Sequence, residues 1–142
     1  MIPSLIFQKI ANDSELNALG ISSSTVFESQ SLDERPVGNS HFVTVSFEEM
    51  LVSSPTALSR GPRTVTIAVH RNWDDTRDYR NIDKILNRID RLLLQIENEI
   101  GNDGVRITSV QRRSRSANMT DEGWRTITRT STYGVLYDEY AA

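Results

Sequence analysis

Within residues 82–100, Ile82, Ile85, Leu86, Ile89, Leu92, Leu93, Ile96 and Ile100 recur in the three- and four-residue steps that line one face of a helix. The pattern predicts a helix of about 22 residues, roughly 33 Å long. Asp74, Asp75 and Asp78 precede it, where negative charge complements the helix dipole, and Gly101 and Gly104 end it. A helix with one apolar stripe must lay that stripe on another apolar surface.

Alternating runs supply the surface. Val43, Val45 and Phe47 alternate with Thr44, Ser46 and Glu48 in residues 41–50, and Val65, Ile67 and Val69 mark one face of residues 64–70. A period of two is the signature of a half-buried strand, and these two runs pair as an antiparallel hairpin with a long connection. Residues 25–29 and 105–110 are shorter strand candidates. In residues 124–137, Tyr133, Val135 and Tyr137 share one face, while Thr126, Thr128, Thr130 and Thr132 share the other. At the start of the chain, Pro3 suits a first helical turn, and Leu5, Ile6 and Ile10 keep helical spacing. Asp13 or Ser14 caps a second turn bearing Leu16 and Leu19, and Gly20 stops it, so residues 3–19 are helical with a break near Asn12. Loops are expected at residues 30–40 and at 53–62, which hold Pro55, Gly61 and Pro62. Residues 112–123 form a further polar connection.

The resulting architecture is α+β: a two-layer sandwich with a mostly antiparallel sheet of four to five strands and two helices on one face. The 142 residues make one domain, 1–142. The second sheet face is rich in Thr, Ser and Arg and must meet water or a neighbour.

Composition narrows the chemistry. The chain has no cysteine, which excludes disulfides and thiolate zinc sites, and its two histidines, His41 and His70, argue against a histidine cage. No stretch approaches the ~18 apolar residues that span a membrane, and the N-terminus has no basic, apolar signal pattern, so a soluble protein made in the cytoplasm is expected. Asn118-Met119-Thr120 fits a glycosylation pattern by chance in that setting. A net charge of −3 argues against general nucleic-acid binding. Basic residues are mostly arginine, all but Lys9 and Lys84; both an interface preference for arginine and GC-rich codon usage account for that. No G-x-S-x-G elbow occurs. The places two after His41 and His70 hold Val43 and Asn72, where a two-histidine phosphoesterase needs hydroxyl residues. The Asp74, Asp75 and Asp78 spacing fits helix capping better than a calcium loop, and Gly101-Asn102-Asp103-Gly104 lacks the Lys or Ser/Thr of a phosphate cradle. No catalytic, cofactor-binding or metal residue is assigned, and the chain is expected to work by binding. Arg106, Arg112, Arg113, Arg115, Arg125 and Arg129 outnumber Asp121 and Glu122 toward the C-terminus, and a solvated or subunit-facing surface explains them best.

The order of these segments resembles the tail terminator proteins of long-tailed bacteriophages, in particular those of actinobacteria. The resemblance is carried by Ser14-Glu15-Leu16-Asn17-Ala18-Leu19-Gly20, by His41-Phe42-Val43-Thr44-Val45, and by Thr64-Val65-Thr66-Ile67-Ala68-Val69-His70 with its Asp-rich turn. It continues through Asp78-Tyr79-Arg80-Asn81-Ile82-Asp83-Lys84-Ile85-Leu86 and Asp121-Glu122-Gly123-Trp124-Arg125-Thr126-Ile127-Thr128-Arg129. Residues 112–116 depart from the family, where a Trp-Gly start is expected. The resemblance implies a homo-oligomeric ring, a hexamer, in the virion at the head-proximal end of the tail. There it would cap the tail tube, stop its polymerisation, and offer a surface for head-to-tail joining. Its partners would be the major tail tube protein and a head-completion or neck protein, with viral DNA passing through the lumen without sequence-specific binding and no membrane contact. Arg112, Arg113, Arg115, Thr126, Thr128, Arg129 and Thr130 are the candidate assembly-interface residues. Residues 53–62 and 112–123 are expected to be ordered on docking, so that deleting 113–119 would spare the fold. The alternatives are another neck, connector or tail-completion protein, or an unrelated small binding module or enzyme.

Overall fold

The computed structural model describes residues 3–28, 40–49 and 63–138. Two short helices, α1 (Ser4–Ala11) and α2 (Ser14–Ala18), come first. They are followed by β1 (Val26–Glu28), β2 (Phe42–Glu49), β3 (Arg63–Asn72), α3 (Arg80–Leu93), β4 (Arg106–Arg115), β5 (Met119–Asp121) and β6 (Thr126–Asp138). The strands form one sheet in the order β1-β2-β3-β6-β4, with β5 also pairing β6. The β1–β2 pair is parallel and the other pairs are antiparallel. The expected α+β sandwich is present, with six strands rather than four to five.

Register explains the layering. Val43 sits opposite Val69, Val45 opposite Ile67 and Phe47 opposite Val65, and Val65 in turn faces Tyr133. All these side chains therefore share one sheet face. Ile82, Ile85, Leu86, Ile89 and Leu93 of α3 and Leu5, Ile6 and Ile10 of α1 complete a single core with them. Helices α1 and α2 pack on α3, which lies over β3 and β6.

Two sequence expectations are corrected. Helix α3 has 14 residues, not about 22. Beyond Leu93 the chain turns to pair with β4: the Asn98 N–H donates to the Ile107 carbonyl (2.6 Å), and the Ile107 N–H donates to the Glu99 carbonyl (3.0 Å). Ile96 stays buried without helical geometry, whereas Ile100 is 57% exposed. Helical spacing thus persisted in the sequence past the point where strand pairing takes the backbone groups. Secondly, the polar segment 112–123 is not a loop. β4 runs through Arg115, the Ser116 N–H bonds the Thr130 carbonyl (2.9 Å), and β5 places Met119 opposite Thr128. Removing residues 113–119 would therefore damage the sheet. The expected loops at 30–40 and 53–62 lie outside the described residues, apart from Ser40.

Helix α1 is capped from far along the chain. Pro3 has no capping side chain, and the Ser4 N–H instead donates to Asp103 Oδ2 (2.8 Å). Close approach at Gly101 makes this possible, since a Cβ there would lie 2.9 Å from Ser4 Oγ and 3.0 Å from the Leu5 nitrogen. Gly101→Ala is expected to lower stability by about 1–3 kcal/mol in urea unfolding, through forced backbone displacement.

Candidate assembly surfaces

The inner face of α3 carries acids as well as apolar residues, and the sheet answers them with arginine. Asp90, 8% exposed, accepts hydrogen bonds from the Tyr133 hydroxyl, from Arg115 Nη2 and from Arg112 Nη1 (3.1 Å). Arg115 also donates to Asn87 Oδ1 (2.6 Å) and, through Nε, to Ser131 Oγ (3.2 Å). One turn and more toward the helix start, Arg129 donates to Asp83 and to the Ser116 carbonyl (2.7 Å). Burial and the Asp90 carboxylate both push the Tyr133 hydroxyl above its ordinary pKa, so it stays a donor. These contacts bolt α3 to β4 and β6.

The opposite face of the sheet has no helix on it among the described residues. Ser46, Thr64, Thr66, Ala68, Thr130, Thr132 and Gly134 are half-buried there, with Gln111 and Arg113 exposed at one side. Short side chains make this face flat. Arg113 lies across Gly134, where a Cβ would come within 2.6 Å of its Nε, and reaches Thr64 Oγ1 (3.4 Å).

The seven residues singled out from the sequence therefore divide between two faces. Arg112, Arg115 and Arg129 are on the helix side, held by Asp90 and Asp83. Arg113, Thr126, Thr128 and Thr130 are on the open side, but Thr126 and Thr128 are buried. Arg113 and Thr130 are the two accessible members there. Arg129 shares the parity of Tyr133, which sets it apart from Thr126, Thr128 and Thr130; in β4, bulges near Thr108 and Arg113 shift the alternation.

Aromatic residues close one end of the open face. The Phe42 and His70 rings stack at 4.9 Å, Trp124 lies 5.8 Å from Phe42 and 5.3 Å from His70, and Phe27 meets Phe42 edge-on at 6.4 Å. His70 Nδ1 pairs with Thr126 Oγ1 (3.0 Å). His41 is also buried, with Nδ1 3.1 Å from Arg71, which is itself paired with Asp75. Burial lowers both imidazoles to about 4, and Arg71 lowers His41 further while Asp75 opposes it. Both are neutral in the fold and easier to protonate when unfolded. Their contribution is thus complete above the ordinary value near 6.5 and is lost as pH falls from 6.5 toward 4. Stability at pH 5 is expected to be about 2 kcal/mol lower per histidine than at pH 7. His70→Gln should remove one histidine's share of that slope, as read by urea unfolding across pH.

The aspartates before α3 have local partners. Asp78 accepts from the Arg80 N–H (2.9 Å) and its guanidinium, which holds the carboxyl down at about 2. Asp74 pairs with Arg125 and Asp75 with Arg71. No group of three His, Asp or Glu residues among the described residues is arranged to hold a metal. No described helix is long and apolar enough to cross a membrane. Two open grooves flank α3, one of about 410 Å³ against α2 and one of about 470 Å³ against α1, and neither is lined by a histidine.

By architecture the chain is an α+β sandwich with a bolted helical layer and a flat, hydroxyl-rich sheet face. A scan against models of protein families finds no match, and a search of curated proteins finds none either. Among solved structures the chain is similar to one described as belonging to the virion of a native gene transfer agent (GTA) particle. The TM-score is 0.70 at 12% identity, over 94% of this chain and 91% of that one. At that identity the likeness is one of fold.

Proposed function

We propose that the chain is a structural virion protein that works by binding other virion subunits rather than by catalysis. Within that class we assign it as a tail terminator, with residues 1–142 acting as one terminator domain. The observation that carries the reading is the shared fold with a virion chain over nearly the whole length of both proteins. The sequence resemblance supports the narrower assignment. The chain closes a ring of six, located in the virion at the head-proximal end of the tail tube. It stops tube growth and presents a joining surface to a head-completion or neck protein, while DNA passes through the lumen without being read. Such a ring is heterologous: two unlike patches of each copy meet around a closed rotation. The flat face around Thr66, Thr130 and Arg113 supplies one broad patch, and the outer surface of α2 and α3 supplies a different one.

The reading is tested by adding the purified chain to polymerising tail-tube protein. Mean tube length is expected to fall as the chain is added, with label at one tube end. Unchanged length with no end label would remove the terminator assignment, and binding to the head vertex instead of the tube would make the chain a neck protein.

A further inference from the structure

The groove between α2 and α3 has an apolar floor and unspent positive charge. Glu15, Ala18 and Leu19 contribute from α2 and the residue after it, while Lys84, Asn87, Arg88 and Arg91 contribute from α3, so three cations face one acid. Arg88 is committed: it binds Asp13 through Nε (2.9 Å) and Nη2 (2.7 Å) and lies 3.4 Å from Glu15. Lys84 and Arg91 are exposed and have no ion pair among the described residues. A volume of about 410 Å³ is enough for one aromatic side chain and its neighbours. The site thus suits a short segment with an aromatic anchor and carboxylates to meet Arg91 and Lys84, the latter also near enough to act on the Asp78 carboxyl.

This chain has such a segment in Asp138-Glu139-Tyr140. Its own copy cannot deliver it. Asp83 and Asp90 contact Arg129 and Tyr133, so α3 runs alongside that part of β6. Asp138 lies five residues beyond Tyr133, and the middle of the groove, near Arg88, is roughly 20 Å back along the strand. Glu139 and Tyr140 add only about 7 Å of reach. We infer that the α2–α3 groove seats residues 138–140 of a second copy, with Tyr140 on the Ala18–Leu19 floor and the acids against Lys84 and Arg91. This inference rests on the ring reading, in which it supplies a head-to-tail contact between neighbouring copies.

The absence of cysteine makes the test clean. Ala18→Cys and Tyr140→Cys proteins with different tags are mixed, free and on tube ends, and treated with a short bismaleimide. The mixed product is expected at least 10-fold above that of Ala18→Cys with Glu122→Cys, and is expected to return to the control level when Lys84→Glu and Arg91→Glu are added to the Ala18→Cys copy. Circular dichroism melts of each variant exclude unfolding as the cause. Equal yields from test and control, or a yield that survives charge reversal, overturn the inference. Rings formed by the two cysteine variants that give no specific product would overturn the groove contact alone. Specific product from a chain that forms no ring and caps no tube would keep the contact and remove the terminator reading.

Discussion

Asp90→Ala is expected to cost about 3–5 kcal/mol of folding stability, the largest loss from any single polar substitution among the described residues. The carboxylate sits between the layers and accepts from Tyr133, Arg115 and Arg112. Its removal leaves the Arg115 guanidinium, whose side chain is 12% exposed, without a counter-charge, and takes from the buried Tyr133 hydroxyl its carboxylate acceptor, with only the Ser131 hydroxyl beside it. An unpaired buried charge and an orphaned donor each cost more than the net worth of the bonds they made. Asp90→Asn keeps the shape and one acceptor oxygen, so about 1–3 kcal/mol is expected. The triple change Asp90→Leu, Arg115→Met, Tyr133→Phe removes donors and acceptor together and should recover most of the loss. Urea unfolding followed by circular dichroism reads all three. A loss below 1 kcal/mol for Asp90→Ala would mean that the network is open to water.

Thr66→Arg is expected to leave the fold within about 1 kcal/mol of wild type and to weaken ring closure or tube capping by at least 10-fold, about 1.4 kcal/mol. Thr66 is half-buried in the middle of the open face, opposite Ser46 and Thr132. The side chains around it are short, so a long cation there holds an incoming surface away and places a charge where none is matched. Asn102→Arg is the control, since Asn102 is exposed in the turn between α3 and β4, away from both proposed patches, and receives the same long cation. It should leave capping unchanged. Equal capping by both variants would take the open face out of the assembly contacts.

Much of this fold was legible because alternation and helical spacing report burial directly. The parity of Val43, Val65 and Tyr133 gave the core face, and the break near Asn12 followed from Asp13 as a cap, which the structure bears out through the Asp13 bond to the Leu16 N–H (3.1 Å). Other features required tertiary knowledge. Ile96 and Ile100 kept helical spacing, but nothing local shows that the backbone at Asn98 is claimed by Ile107. The polar run 112–116 reads locally as part of a connection, since charged side chains ordinarily face solvent. In the fold, Arg112 and Arg115 are charged because Asp90 waits on the facing helix. A sequence signal for this was available: Asp83 and Asp90 lie seven residues apart on the side of α3 that bears the apolar stripe, and acids in such positions need cations across the layer.

The central claim is that this chain closes a ring on the end of a tail tube. Mass photometry with negative-stain imaging, on the chain alone and with tail-tube protein, tests it most directly. The expected result is a closed ring of six 16.1 kDa copies, about 97 kDa, either free or capping tube ends. A chain that stays monomeric and leaves tube ends bare would contradict the claim.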